Sequence, residues 1–173
     1  MLEPFDRLVA MERDCYVWLA ALNLLFAGIS ALAYFQFKGN YERQFIQFFR
    51  AYFPSFAAFV PMVNHPKRGP RAHSGPIEKH FYNYFRSGLA HHFVIWWGGL
   101  LHLEDGAPAF GFEAEEGIGV APRALVAEYR SAVDSFFAAY AGHDENSPAA
   151  MHFMARFQEL FLVKTGAILP RVG

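Results

Sequence analysis

The chain has 173 residues, which is enough for a single domain with a sizeable core. It is 54% hydrophobic and 18% aromatic against 18% charged, a composition that is apolar for a soluble monomer and predicts an oligomer or a membrane contact. The net charge of -1 excludes a global basic field, so any RNA or DNA site must depend on a local patch.

The N-terminal sequence predicts a cytoplasmic protein. Met1 is followed by Leu2-Glu3-Pro4-Phe5-Asp6, with no basic region ahead of an apolar run, so a cleaved signal peptide is not expected. The single cysteine, Cys15, excludes an intramolecular disulfide and fits a reducing compartment.

The first predicted helix covers residues 5–38. Its first part is amphipathic, and no charged residue occurs from Cys15 to Phe37, where the strongly polar residues are Asn23, Ser30 and Gln36. A run of that length is able to cross a bilayer, but a central helix buried on all sides of an all-α bundle has the same pattern. We prefer the buried helix, because Ala and Gly dilute the run and the Phe-rich segments that follow are too short to span.

A second helix is predicted from Tyr41 to Phe53. Asn40 follows Gly39 and suits the N-cap, and aromatic residues recur at three- and four-residue spacing along the segment. Pro54 ends this helix, and residues 55–60 are expected to add only a short turn before Pro61.

Residues 61–75 are predicted to form a loop, because they include three prolines and two glycines. Lys67, Arg68 and Arg71 make this loop the densest basic cluster of the chain. Such a cluster is either a solvated surface loop or an RNA-binding lip that contacts phosphates beside the next helix.

Pro76 begins a helix that is predicted to end near His92. The pattern then changes. The sequence becomes β-prone at residues 93–97 and 100–103. A turn is predicted at residues 104–108, a returning strand at 109–113 and a third short strand at 118–120. We therefore expect a β-hairpin inserted at about residues 93–120.

Two further helices complete the chain. Pro122 opens a helix over residues 123–140, and Ser147-Pro148 caps a final helix that ends near Lys164. No repeat is visible. The sequence thus predicts one domain over residues 1–173, mainly α, with about five helices and the small β-hairpin.

The sequence does not predict a metal or cofactor. Phosphate-loop, paired-cysteine zinc and nucleophile-elbow motifs are absent. His91 and His92 are adjacent, so on a helix they point about 100° apart and are poorly placed to chelate one ion. His102 and Glu104 share a strand face, where they could bind zinc together with a further ligand from elsewhere, but nothing in their spacing requires it.

Arg86 and His91 are the strongest candidates for chemistry. Residues five apart on a helix are separated by about 140° and about 7.5 Å, so both side chains could flank one phosphodiester. Histidine can transfer the proton of an attacking 2′-hydroxyl, and arginine can stabilise the charge on the phosphorane oxygens. Alternatively, Arg86 forms a salt bridge with a neighbouring acid and His91 merely caps the C-terminal end of the helix.

The phrase Tyr84-Phe85-Arg86-Ser87-Gly88-Leu89-Ala90-His91 resembles the Arg-x4-His motif of HEPN domains, which are all-α proteins common in prokaryotic defence and toxin–antitoxin systems. The resemblance implies a homodimer in which two motif helices face each other and build one RNA-cleaving cleft. Arg86 and His91 would be catalytic, with Tyr84, Ser87 and His92 as supporting residues.

The resemblance also implies an antitoxin or another defence protein as a partner. Two positions depart from the family pattern. Ser87 stands where active members often have Asn or Asp, and it cannot carry charge. Phe93 stands where some toxins carry a tyrosine that a nucleotidyltransferase antitoxin modifies, so that form of regulation is not expected.

Three hypotheses follow from the sequence. The first is a metal-independent endoribonuclease of the HEPN type. The second is a non-catalytic HEPN-like module that binds or senses a partner, in which Arg86 and His91 are structural. The third is a small protein that residues 15–37 anchor in a membrane.

Overall fold

The structure is a computed structural model and describes residues 15–63, 76–92, 95, 99–113, 117–142 and 144–165. This part of the chain contains six helices and a three-stranded sheet, which confirms the prediction of a mainly α protein. The elements are α1 (Cys15–Gln36), α2 (Tyr41–Tyr52), α3 (Pro54–Val63), α4 (77–92), β1 (Gly99–Leu101), β2 (Phe110–Glu113), β3 (Gly117–Val120), α5 (Pro122–Ala141) and α6 (Pro148–Thr165).

Helix α1 lies against α2, α5 and α6, with one face in the core. The buried residues recur at helical spacing and include Trp18, Leu22, Phe26 and Ile29. On the opposite side, Leu24 is 52% exposed. The expectation of a helix buried on all sides is therefore wrong. The stretch Val17–Gln36 is long and apolar enough to cross a membrane, and 39% of its most apolar window is buried.

Local signals at the helix ends are confirmed. The Asn40 side chain accepts a hydrogen bond from the Arg43 amide (2.9 Å), and the Ser147 hydroxyl accepts one from the Ala150 amide (3.2 Å). Pro122 occupies the first turn of α5, where its missing N–H costs nothing.

Helix α3 is longer than the short turn predicted from the sequence. It contains ten residues, and Pro61 lies inside it rather than beyond its end. Phe56, Phe59 and Val60 are buried in the core, and their burial offsets the backbone hydrogen bond that a proline removes.

The sheet differs from the predicted hairpin in its pairing. The strand order is β1-β3-β2: β2 and β3 form the antiparallel pair, and β1 runs parallel to β3. The prediction that residues 100–103 pair with the strand at 109–113 is therefore wrong. Ile118 and Val120 of β3 are almost completely buried, which favours the central position for β3 between two less buried neighbours.

Phe81 is the centre of the aromatic core. Its ring lies 5.0–6.1 Å, between centroids, from rings supplied by α1, α2, α3, β2 and its own helix: Phe26, Phe45, Phe49, Phe56, Phe85 and Phe110. Aromatic pairs at such distances contribute about 0.5–1.5 kcal/mol each beyond burial. Phe81 thus packs α4, which carries the Arg-x4-His motif, against α1, α2, α3 and β2.

Candidate functional site

Helix α4 is not a regular α-helix where it carries the motif. It consists of an α segment (Ile77–Phe81), a π-helical segment (Tyr82–Ser87) and a second α segment (Gly88–His92). The Gly88 amide donates to the Asn83 carbonyl, five residues earlier. A π segment accommodates an extra residue in the helical turn and often marks a functional site. Arg86 lies in the π segment and His91 in the α segment after it, so the rotation and rise between them differ from those of a regular α-helix.

Helix α4 is also held by an ion pair at its first turn. Glu78 is 3% exposed and accepts a charge-assisted hydrogen bond from Arg50 of α2. Because an unpaired buried carboxylate is costly, this contact fixes how α4 sits on α2.

Arg86 is positioned by a serine of another helix. Its Nε donates to the Ser30 hydroxyl at 2.8 Å, and that hydroxyl donates its own proton to the Phe26 carbonyl at 2.7 Å. Ser30 therefore uses both kinds of hydrogen-bonding capacity. No carboxylate of the described residues pairs with Arg86, so the expected alternative of a salt bridge to a neighbouring acid is not found there. A neutral hydroxyl thus orients a guanidinium that no carboxylate of the described residues pairs with.

Arg86 lines a groove of about 460 Å³ between α1 and α6. Ser30 and Tyr34 contribute from α1, and Glu159 from α6. The volume lies within the range of small-molecule sites, and the groove contains a guanidinium, a phenol and a carboxylate.

Tyr34, Arg156 and Glu159 form a coupled cluster at this groove. The Arg156 guanidinium lies 4.7 Å from the centre of the Tyr34 ring and bonds Glu159 at 2.8 Å. Burial and the hydrogen bond to Glu159 raise the pKa of Tyr34. The bonds from Arg156 and Tyr34 lower the pKa of Glu159. Glu159, the one carboxylate of the described residues that lines the groove, is therefore engaged by Arg156 and Tyr34.

His91 lies elsewhere. It is exposed in the last turn of α4, with its ring 6.4 Å from that of His92, which is also exposed. His91 is not among the residues that line the groove of Arg86. Of the two motif residues, only Arg86 is among the described residues that line this groove.

The supporting residues of the motif occupy different environments. Ser87 is half-buried, whereas Tyr84 is 8% exposed and its ring centre lies 5.7 Å from that of His80. Burial raises the pKa of the Tyr84 phenol. Lys67, Arg68 and Arg71, the predicted RNA-binding cluster, lie outside the described residues, as does Phe93.

His102 has a structural role in the sheet. Its Nδ1 lies 3.4 Å from Glu104, and its ring covers Gly119, where a Cβ atom would be 1.9 Å from Nε2. Among residues that the structure describes, no three His, Cys, Asp or Glu side chains gather as metal ligands. The zinc arrangement considered for His102 and Glu104 therefore has no third ligand in that part of the chain.

Sequence reasoning missed most of the groove. Ser30 carried a signal, since it is one of few polar residues in an apolar helix, and such a residue needs a buried partner. The sequence gives no sign that Tyr34 and Glu159 are neighbours, because they are 125 positions apart and meet only through the packing of α6 on α1.

No protein-family model matches this chain, and neither a curated protein nor a solved structure shows significant similarity to it. The class of protein that the structure defines is a mainly helical domain with a small mixed sheet.

Proposed function

We propose that this protein is a metal-independent endoribonuclease of the HEPN type, in which Arg86 and His91 act at a cleft between two copies of the chain. The observation that carries the proposal is the state of Arg86. Its Nε is held by the neutral Ser30 hydroxyl, and it has no carboxylate partner in the described residues. A structural arginine in a half-buried site is usually paired with an acid, whereas a phosphate-binding arginine needs its charge.

The proposed reaction follows from the chemistry of the two side chains. His91 removes the proton of a ribose 2′-hydroxyl, whose oxygen attacks the adjacent phosphorus. The bond from phosphorus to the 5′-oxygen breaks, and the leaving oxygen takes a proton from water. The products are a 2′,3′-cyclic phosphate and a 5′-hydroxyl, and protonated His91 returns its proton to the solvent. Arg86 stabilises the negative charge on the non-bridging oxygens.

A second copy is part of the proposal because His91 does not line the groove of Arg86 in one chain. An apolar composition and exposed large side chains on α6, among them Met151 (55%) and Met154 (49%), are in keeping with a dimer. A homodimer, RNA as substrate, an antitoxin or other defence partner and a cytoplasmic location belong to this proposal together.

The second candidate is a non-catalytic HEPN-like binding module. The same separation of Arg86 and His91 favours it, since Arg86 then serves to tie α4 to α1 through Ser30. The two functions differ in what Arg86→Ala and His91→Ala change.

The test is cleavage of labelled RNA by the full chain in chelator, with products analysed for a 2′,3′-cyclic phosphate. For the ribonuclease, Arg86→Ala and His91→Ala each abolish cleavage, and added imidazole restores part of the activity of His91→Ala. Arg130→Ala, which removes an exposed arginine of α5, is the matched control and leaves cleavage unchanged. Absence of RNA cleavage by the unaltered chain, together with a lowered melting temperature of Arg86→Ala, favours the binding module instead.

A catalytic site that is built from both copies of the chain can also be recognised by complementation between two inactive variants. If Arg86 of one copy works with His91 of the other, the two inactive variants mixed under exchange form dimers with one intact site, and activity returns to about a quarter of that of the unaltered protein. A mixture that stays inactive after verified exchange contradicts a site shared between copies.

A further inference from the structure

A second groove lies at the opposite end of α6 from Arg86. It has a volume of about 500 Å³, is open to solvent, and is lined by the end of α1, the start of α2, the end of α5 and the start of α6. The proposed ribonuclease uses none of these residues. Three features distinguish this groove: its charge, its unpaired polar atoms and its aromatic wall.

The charge of the groove is positive. Lys38 and Arg43 line it, and no aspartate or glutamate of the described residues does. Neither cation pairs with a carboxylate of the described residues. Two helices begin at this groove and two end there, so their dipoles largely cancel and the positive field comes from the side chains. The carboxylates of Glu42 and Glu78 line a neighbouring groove instead.

Several side chains that line the groove each carry a buried polar atom without a partner. Gln36 Oε1, Gln47 Oε1 and His152 Nε2 are buried without a hydrogen-bond partner, and all three residues line the groove. Gln36 already donates its amide Nε2 to the Tyr52 hydroxyl at 2.7 Å, which fixes its oxygen as an open acceptor. Buried polar atoms rarely lack partners in folded proteins, and a ligand with donor groups would satisfy the two amide oxygens.

The remaining wall is aromatic and apolar. Tyr140 and Phe37 line it together with alanines of α5 and α6. A flat ring or a sugar face can pack against such a wall while its polar groups reach the amides. His152 completes the floor, where burial and the positive charges of Arg156 and Lys38 lower the pKa of its imidazole. A bound anion would relieve that repulsion.

We propose that this groove binds a small phosphomonoester whose remaining part carries hydroxyl or amino donors, as a sugar phosphate or a nucleoside monophosphate does. The phosphate lies between Lys38 and Arg43, and the donor groups reach the oxygens of Gln36 and Gln47. The volume accommodates either molecule. This site is independent of the Arg86 groove, so it stands whether or not the protein cleaves RNA.

Calorimetric titration of the full chain at constant ionic strength tests the proposal. The probes are inorganic phosphate, ribose 5-phosphate, adenosine monophosphate and adenosine. We expect saturable binding of at least one phosphomonoester, and weaker binding of inorganic phosphate and of adenosine. Preference for ribose 5-phosphate or for adenosine monophosphate identifies which of the two sources the groove accepts.

Variants locate the binding. Lys38→Gln and Arg43→Gln are each expected to weaken the preferred phosphomonoester about tenfold, the effect of one charge-assisted hydrogen bond. Gln47→Leu weakens the phosphomonoester but leaves inorganic phosphate unchanged. Lys79→Gln removes an equal charge from the neighbouring groove and is the matched control.

Three results overturn the proposal: no saturable binding of either phosphomonoester, equal affinity for inorganic phosphate and both esters, or equal weakening by Lys79→Gln and the two groove variants. The last result would show a general electrostatic attraction rather than a site. Circular dichroism of each variant checks that loss of binding is not loss of fold.

Discussion

The contact between Ser30 and Arg86 can be measured by a double-mutant cycle. Ser30→Ala removes the acceptor, and Arg86→Met removes the guanidinium while it keeps an unbranched side chain of similar bulk near the helix. Both residues are half-buried, and the Nε to Oγ distance is 2.8 Å. Hydrogen bonds to charged groups contribute about 1.5–3 kcal/mol, and solvent in the groove reduces this to about 1 kcal/mol.

The assay is urea denaturation of the four proteins in the cycle. Ser30→Ala alone is ambiguous, because alanine gains helix propensity of about 0.5 kcal/mol in α1. That gain is the same with and without Arg86, so it cancels in the coupling energy. A coupling of about 1 kcal/mol corresponds to a midpoint difference of about 0.5 M urea and about 2–4 °C in melting temperature.

A coupling energy below about 0.3 kcal/mol would refute the assignment, since unrelated positions add to within that error. Ala27→Ser, which places a hydroxyl on an exposed position of α1 that is not among the residues lining this groove, is the control for a serine in this helix. Under the ribonuclease proposal, Ser30→Ala also lowers RNA cleavage without abolishing it, because Arg86 keeps its charge but loses its orientation.

Three further predictions follow from the structure. Gly119→Ala is expected to destabilise the protein by about 1–3 kcal/mol, because the new Cβ would collide with the His102 ring. Gly111→Ala is the control and is tolerated, since its Cβ would lie 3.7 Å from that ring. In thermal melts, His102→Ala is expected to restore the stability that Gly119→Ala loses. Folding lowers the pKa of His152, so the unfolded chain binds a proton there first as the pH falls through about 6.5, and the stability of the protein decreases. His152→Gln is expected to flatten this part of the curve of stability against pH. An unchanged slope in that variant contradicts the prediction. In detergent-free buffer the full chain is expected to elute as a monodisperse dimer in light-scattering chromatography, and recovery only in the membrane fraction would instead support an anchor at α1.

Local signals predicted much of the secondary structure. The N-cap at Asn40, the proline that opens α5 and the cap at Ser147 are each short-range contacts within three residues, so the sequence contains everything that they need. The strand over residues 109–113 was predicted for the same reason, because its residue types and its preceding turn are local features.

Strand order and the neighbours of Arg86 required the tertiary structure. Nothing local makes β1 pair with β3 rather than β2; the burial of β3 between them decides it. Arg86 contacts Ser30 across 56 sequence positions, and it lies in a π-helical segment rather than in a regular α-helix.

The sequence by itself determined that the chain is mainly helical, where most helices begin and end, and that Arg86 and His91 share one helix. The tertiary structure decided that Arg86 faces α1 and α6 while His91 is exposed at the helix end, and that Lys38, Arg43 and His152 surround one groove. The physical reason is the sequence separation over which each interaction acts. Helix caps and hydrophobic periodicity involve residues a few positions apart, whereas a site depends on which helices the aromatic core packs together.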